Sequence, residues 1–401
     1  MPIEPTRDWK LLVSMLPPEY EQQAVEHRLL KLQWKNSKIT SAGDLLRLLF
    51  VHAGADIPLR QTVALVGEAG GPKISAVVLH KKMRSAAPYL GELISRLCID
   101  SGRAAPELWD GYELLAVDGS TVSGPGAEGI DARMHTVIRI ADVRPVQVKV
   151  TDVSEGETLR RFTWEEDQLV IGDRGYANAP GIISVVDQGA DVLVRVNRGA
   201  LPLYHGDRAI DVLDWLRSLP GHRAFEREVT VRHGTGRAKR EIVGRLIGFR
   251  LPEDEAAEAR DRVIREHGAK TTEEMLEAAA YVALFTTAPA ARLSAARCVE
   301  AYRLRWQIEL QFKRWKSLCH FDRLPNYRDD TIRSWLSVKV LLGLILDKIG
   351  SAAAELSPPE PDVESIRAQR FRRSTYRPTT METHEHHLAD HPRGDSAHRA
   401  A

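Results

Sequence analysis

Residues 301–319 read A-Y-R-L-R-W-Q-I-E-L-Q-F-K-R-W-K-S-L-C, with no Gly or Pro and few β-branched residues. This composition predicts a helix. On a wheel with about 3.6 residues per turn, Tyr302, Arg305, Glu309 and Lys316 fall within roughly 60° of one another. Most apolar residues of the stretch lie elsewhere on the wheel, so we expect the helix to pack against a core while it presents one polar stripe.

The polar stripe has two interpretations. An ordinary solvated helix face carries i,i+4 ion pairs, and Arg305 has that spacing to Glu309. The stripe could instead belong to a site for phosphate and a divalent cation, because Arg and Lys suit phosphate oxygens and a glutamate suits the cation. Two acidic segments upstream favour this second interpretation.

Two short apolar runs upstream each end in an aspartate. L-L-A-V precedes Asp118, and Q-L-V-I-G precedes Asp173. Each run predicts a buried strand, where an aspartate is costly unless it is paired, metal-bound or at an exposed strand end. Either aspartate alone could be a strand-end or turn residue. Together with a glutamate on a packed helix, the two suit a pair of divalent cations that catalyse phosphoryl transfer.

The charge of the chain is local rather than global. The 56 Lys and Arg residues nearly balance 55 Asp and Glu residues, but seven basic residues face two acidic ones between Arg292 and Lys316. Such a local basic strip favours a nucleic-acid partner. The three cysteines form no disulfide or zinc pattern, and no phosphate loop or nucleophile elbow competes. Without a signal peptide or a membrane span, we expect a soluble protein of the reducing cytosol with no membrane partner.

The predicted elements run from helices through a mixed α/β layer to a β-rich segment and back to helices, which is an α/β fold class. We therefore divide the chain into an N-terminal helical domain (1–105), the first part of the core (106–199), a β-rich insertion (200–290), the end of the core with the Glu309 helix (291–350) and a disordered tail (351–401).

Two segments outside the core have alternative interpretations. Helix 59–69, the break Gly-Gly-Pro and a basic helix from Ile74 to Ala87 resemble a helix-turn-helix, but helical hairpins with a basic outer face are common. In the tail, His-Glu-His-His at 384–387 could bind a metal, but the composition favours a solvated disordered segment.

Three motifs carry a resemblance to a known family. Tyr302-x2-Arg305-x3-Glu309-x6-Lys316 resembles the Tyr-Arg-Glu-Lys signature of DDE transposases of bacterial insertion sequences, the insertion sequence 4 family. V-D-G-S-T at 117–121 resembles the first acidic motif of that family, and D-R-G-Y at 173–176 resembles its second. The resemblance covers roughly residues 40–350.

The resemblance implies a ribonuclease-H-like mixed-sheet catalytic core with a β-rich insertion and an N-terminal helical domain. It implies that Asp118, Asp173 and Glu309 are catalytic and bind two Mg²⁺ ions, for which Mn²⁺ can substitute. The residues that it implies as DNA contacts are Tyr302, Arg305, Lys316, Arg174 and Tyr176. An aromatic residue that stacks on a displaced base is also implied, with Trp215, Phe225 and Trp306 as the candidates.

The implied activity is cut-and-paste transposition. Cleavage at the inverted-repeat ends frees 3′-hydroxyls, a hairpin forms and reopens, and the ends join target DNA. The implied partners are transposon-end and target DNA, bound by a homodimer at the nucleoid of a bacterial cytoplasm. Two alternatives remain open: a related two-metal nuclease that cuts without joining, and an inactive or truncated copy that only binds DNA, which the atypical tail favours.

Overall fold

A mixed sheet of ten strands forms the centre of the fold. The computed structural model describes residues 5–30, 38–102, 108–123, 132–152, 154–236, 239–321, 324 and 329–355. The strands are β1 Glu113–Val122, β2 Ala132–Arg139, β3 Arg144–Thr151, β4 Gln168–Gly172, β5 Asp191–Arg195, β6 Leu203–His205, β7 Arg208–Ala209, β8 Phe225–His233, β9 Arg240–Arg250 and β10 Tyr281–Thr286. Their order across the sheet is β3-β2-β1-β4-β5-β10-β9-β8-β6-β7.

The first five strands confirm the predicted ribonuclease-H-like core. Strands β1, β2 and β3 are antiparallel neighbours, whereas β4 and β5 run parallel to β1. In the β1–β4 pair, Ala116 lies opposite Ile171. Because the two strands run in the same direction, Asp118 and Asp173 follow at the same level, two residues further on.

The strands expected in residues 200–290 are present, but they do not form a separate sheet. β10 pairs with both β5 and β9, so β8 and β9 extend the core sheet beyond β5. The polar helical stretch predicted across 253–278 is two helices, α8 Glu253–His267 and α9 Glu273–Ala279. Gly268 ends the first with a φ of 51°, and the Thr272 side chain caps the second.

The remaining helices lie before, within and after the sheet sequence. They are α1 Pro5–Ser14, α2 Tyr20–Glu26, α3 Ala42–Leu49, α4 Leu59–Glu68, α5 Ala76–Gly102, α6 Ala179–Val186, α7 Val212–Arg217, α10 Ala295–Arg303, α11 Gln307–Cys319 and α12 Asp329–Glu355. A π-helical turn, Phe50–Gly54, follows α3. No helix in the described ranges is long and apolar enough to cross a bilayer.

Helices α5 and α12 are both longer than predicted. α5 continues past Ala87 through Pro88, because its buried side packs against α12 and β3 along its length. α12 extends to Glu355, five residues beyond the predicted end of the core. The rest of the predicted tail, including the 384–387 cluster, lies outside the described residues.

The helix predicted for 301–319 is interrupted. α10 ends at Arg303, a 3-10 turn covers Leu304–Trp306, and α11 begins at Gln307. A 3-10 turn has three residues per turn, so residues i and i+3 lie directly above one another. The helical wheel for an uninterrupted α-helix is therefore wrong at this point. The 3-10 turn leaves a smaller angle between the side chains of Tyr302 and Arg305 than an α-helix would.

Helix α11 is held against α12 by buried polar contacts. Trp315 is fully buried, and its Nε1 donates to Asp347 Oδ2 at 3.0 Å. The backbone of α12 approaches the indole closely, since a Cβ on Gly343 would lie 2.8 Å from Trp315 Nε1. Lys339 of α12 is also fully buried, and its Nζ donates to the carbonyls of Cys319 and His320 at the end of α11 and to Asp56 Oδ1.

Replacing Lys339 with Met should therefore lower the free energy of unfolding by roughly 2–3 kcal/mol, because the Asp56 carboxylate and two carbonyls lose their donor. Urea unfolding would measure the change. Lys348→Met is the matched control, since Lys348 is exposed on the same helix and its Nζ donates to the Met15 carbonyl at 3.3 Å. An equal, small effect of both substitutions would contradict this role for Lys339.

Candidate active site

Asp118 lies within β1, directly after the four consecutive buried residues Leu114–Val117. Its side chain is 18% exposed, and Oδ1 accepts a hydrogen bond from the Gly119 N–H at 2.8 Å. Burial raises the pKa of Asp118 to about 6; the Gly119 N–H opposes the rise, and the nearby charge of Asp173 adds to it. The carboxylate is thus held in place by the backbone while its charge remains incompletely balanced.

Asp173 directly follows β4 and begins the short 3-10 turn Arg174–Tyr176. Its Oδ1 accepts a hydrogen bond from the Gly175 N–H at 2.8 Å, which caps the turn. The two aspartates that the sequence singled out are therefore at one edge of the sheet, each fixed by a backbone N–H of the glycine that follows it.

Arg305 joins the third predicted acid to the first. Its Nη1 lies 3.4 Å from Asp118 Oδ2, and its Nη2 lies 3.4 Å from Glu309 Oε1. Arg305 is 18% exposed, whereas Glu309 is 51% exposed. Burial works against the charge of the guanidinium, but Tyr302, Asp118 and Asp173 raise the pKa of Arg305. The i,i+4 pair expected of a solvated face is present, but it is part of a larger, partly buried cluster.

Tyr302 and Arg305 border a cavity of about 250 Å³, which Asp118, Asp173 and Glu309 do not line. Apolar side chains of β9, β10 and α10 line much of it, and Arg195 of β5 lies at its border. Of the three aromatic residues considered for base stacking, Trp306 lines this cavity. Trp215 packs instead on Gly248 of β9, and Phe225 stacks under Arg223.

The other predicted DNA contacts differ in exposure. Lys316 is exposed on α11, and Arg174 is exposed beside Asp173. Tyr176 is fully buried. The prediction that Tyr176 contacts DNA does not agree with this burial. Its side chain packs under Gly172 of β4, where an added Cβ would lie 2.9 Å from Tyr176 Cβ and 3.4 Å from Cγ of the ring.

Glu157 is an acid that sequence reasoning did not include. It precedes the 3-10 turn Leu159–Arg161, in a segment without regular secondary structure. Burial raises its pKa, and the charge of Asp173 raises it further. No apolar run or periodic pattern surrounds Glu157, so the sequence near this residue does not mark it as part of the site. The glycines that follow Asp118 and Asp173 are an indirect indication, because a residue without a side chain leaves space for a neighbouring one.

The carboxylate oxygens of Asp118 and Asp173 suit a hard divalent cation, because such ions prefer oxygen ligands. Asp118 is partly buried, and the nearby charge of Asp173 disfavours its ionised form, a repulsion that a cation would relieve. Within the described ranges, however, no three Asp, Glu, His or Cys side chains converge closely enough to hold one ion as they stand. The Arg305 guanidinium lies between the carboxylates of Asp118 and Glu309.

Comparison with known proteins gives the chain relatives across most of its length. Residues 109–343 match the family model described as the transposase DDE domain. The chain is 31% identical over 330 residues to the putative transposase InsL for insertion sequence element IS186A of Escherichia coli strain K12, covering 81% of this chain and 89% of that protein. It is also 31% identical over 331 residues to the transposase for insertion sequence element IS421 of Escherichia coli, with the same coverage.

A solved structure, the piggyBac transposase synaptic complex with hairpin DNA, aligns with 96% of this chain and 88% of that chain at a TM-score of 0.39 and 12% identity. A likeness at this level does not by itself assign a fold. The family assignment comes from the sequence matches, which agree with the acidic residues brought together here. By the family model and the insertion-sequence relatives, the chain belongs to the DDE transposases of insertion sequences, enzymes that act on DNA.

Proposed function

We propose that this transposase cuts DNA at the inverted-repeat ends of its insertion sequence and joins the freed 3′ ends to target DNA. The observation that carries the proposal is the meeting of three acids from separate elements, with Arg305 bound to Asp118 and Glu309, and Asp173 beside them. These are the acids of the family motifs, in the order Asp, Asp, Glu. The proposal includes a hairpin step, as the resemblance implies.

Members of this family use divalent metal ions, and we assign two Mg²⁺ ions, replaceable by Mn²⁺, to Asp118, Asp173 and Glu309. When bound, such ions polarise the phosphate and activate the attacking oxygen. Asp118 and Asp173 are already fixed by backbone N–H groups, so they can hold a cation with little rearrangement. Glu309 is half-exposed and pairs with Arg305, so it can turn once that arginine leaves.

Arg305 then has a second partner in the DNA backbone. A guanidinium that bridges two carboxylates has the planar geometry that also suits two phosphate oxygens. In the proposed complex Arg305 moves from the carboxylates to a phosphate, while exposed Lys316 and Arg174 contact the backbone on either side. Tyr302, Arg305 and Trp306 line one cavity. In the proposed complex a displaced base enters this cavity and stacks on Trp306. Catalysis then depends mainly on positioning and charge stabilisation.

Two transposon ends must be held together for joining, so we propose a homodimer on DNA. Because the substrate is the DNA of a bacterial element, we place the protein at the nucleoid in the cytoplasm. The exposed Lys81 and Arg84 of α5 are candidates for additional contacts with the ends.

Purified protein should cut a labelled duplex that carries the inverted repeat flanking this gene, at the repeat terminus, with Mg²⁺ and not with EDTA. Asp118→Ala should abolish the cut, because it removes a carboxylate that holds the cation. Strand-transfer product with a second duplex distinguishes a transposase from a nuclease that only cuts. Binding of the repeat without cutting by the wild type would instead indicate a regulatory copy.

Glu309 and Arg305 should separate cutting from binding. Glu309→Gln should abolish cleavage and leave end affinity almost unchanged, since Gln keeps the size but not the charge needed for a cation. Arg305→Ala should weaken end binding roughly tenfold and lower the slope of log affinity against log salt by about one. Electrophoretic mobility shift at several salt concentrations measures both quantities.

Arg314→Ala is the control for Arg305→Ala. Arg314 lies on the same helix but pairs with Asp347 at 3.2 Å on the side of α12. The Arg314→Ala variant loses one positive charge but keeps the contacts of Asp118 and Glu309. Its slope of log affinity against log salt should therefore stay close to that of the wild type. Equal effects of the two substitutions would mean that Arg305 contributes only to the general field of the protein.

The raised pKa of Asp118 predicts a cost in stability without metal. The folded-state pKa is about 6, above the ordinary value of 3.8. The buried charge therefore costs stability above pH 6, and the cost disappears as the pH falls below 3.8. At pH 8 in EDTA, Asp118→Asn should raise the free energy of unfolding by on the order of 2 kcal/mol, and the gain should shrink towards pH 4. Denaturant melts at both pH values measure this, and a less stable variant at pH 8 would contradict it.

A further inference from the structure

Glu157 lies between the two aspartate motifs. A Cβ built on Gly119, the residue after Asp118, would lie 2.8 Å from Glu157 Oε1. A Cβ built on Gly175 would overlap Glu157 Oε2 and lie 3.2 Å from Asp173 Oδ1. The glycines of both acidic motifs therefore leave space for the same carboxylate, and the carboxylates of Glu157 and Asp173 flank one glycine.

Glu157 approaches the aspartates from the face of the sheet opposite Glu309. Val117 packs in the cluster that contains Leu159, two residues after Glu157. Ala116, whose side chain points the other way, packs in the cluster that contains the buried residues of α11. Asp118 follows Ala116 by two residues in β1, so its side chain points to the α11 face, while Glu157 lies beside Gly119 and Gly175 on the other face.

A second observation points to a ligand at this place. Tyr176 is fully buried, and its hydroxyl has no hydrogen-bond partner in the part of the chain that the structure describes. Burial raises the pKa of this phenol most, and the charges that raise it further are those of Glu157, Asp118 and Asp173, in that order. A buried hydroxyl without a partner costs roughly 1–3 kcal/mol. A hydrated cation among these carboxylates brings water that can pair with the hydroxyl.

We propose that Glu157 is a fourth carboxylate of the active site and holds a divalent, oxygen-preferring cation together with Asp118 and Asp173, directly or through a bound water. The inference depends on the function proposed above. Three acids supply three negative charges against the four positive charges of two divalent ions. Glu157 supplies the fourth, so the charges of the four carboxylates equal those of the two ions.

Isothermal titration of the full chain with MnCl₂, without DNA, tests this directly. Glu157→Gln should weaken at least one Mn²⁺ site roughly tenfold or more, because it removes a charged ligand and keeps the side-chain volume. Glu155→Gln is the matched control. It removes the same charge two residues away, where the side chain is 47% exposed and pairs with Arg161, and its Mn²⁺ affinity should equal that of the wild type. Melting temperatures in EDTA check that the variants fold.

Asp118→Asn separates this inference from the proposed function. If Asp118→Asn loses Mn²⁺ and Glu157→Gln binds it as well as the wild type, the role of Glu157 is wrong and the metal centre stands. If the wild type does not bind Mn²⁺, or if neither substitution changes its affinity, the metal centre itself is wrong.

A second variant covers the case in which Glu157→Gln does not fold. Gly175→Ala keeps every charge, and its added methyl group meets the flexible end of the Glu157 side chain, which must move aside. It should weaken Mn²⁺ binding in the same direction with little change in melting temperature. Unchanged Mn²⁺ affinity in this folded variant would overturn the inference.

Discussion

Asp118 places a negative charge at the edge of an otherwise apolar sheet, and much of the surrounding structure serves to balance it. The parallel pairing of β1 with β4 brings a second carboxylate, Asp173, to the same level. Burial and like charge both favour the protonated form of Asp118, and Arg305 is the cation within reach that opposes them. An incompletely balanced carboxylate lowers the stability of a purely structural element. It is useful in a site that must bind a cation and hold it beside a phosphate.

Arg305 can reach the carboxylates because of how its helix is built and anchored. The 3-10 turn at Leu304–Trp306 sets Arg305 beside Tyr302, while α11 continues the chain to Glu309. α11 is fixed at its far end by Lys339 and along its length by Trp315, so α12 determines where the glutamate lies. α12 in turn packs against α5 of the N-terminal helices. The site therefore depends on packing between segments that are far apart in the sequence.

Much of this arrangement could be predicted from local patterns. The apolar runs that end in Asp118 and Asp173 indicated adjacent buried strands, and the spacing of Tyr302, Arg305, Glu309 and Lys316 indicated one face of a helix. The break at Leu304–Trp306 could not be predicted, because nothing in L-R-W disfavours an α-helix. The extension of the core sheet by β8–β10 also depends on long-range pairing, and Tyr176 is buried although Arg174 and Gly175 before it are exposed. Glu157 reaches the site through space, with no periodic pattern to reveal it.

Anomalous diffraction from crystals of the full chain grown with Mn²⁺ and a transposon-end duplex is the most direct test of the central claim, that the acids around Arg305 form a cation-dependent active site. The account predicts anomalous peaks at ligand distance from the carboxylates of Asp118 and Asp173, with Arg305 moved from Asp118 to a phosphate oxygen of the DNA. Arg305 still bridging Asp118 and Glu309, with no anomalous peak beside either aspartate at saturating Mn²⁺, would contradict it.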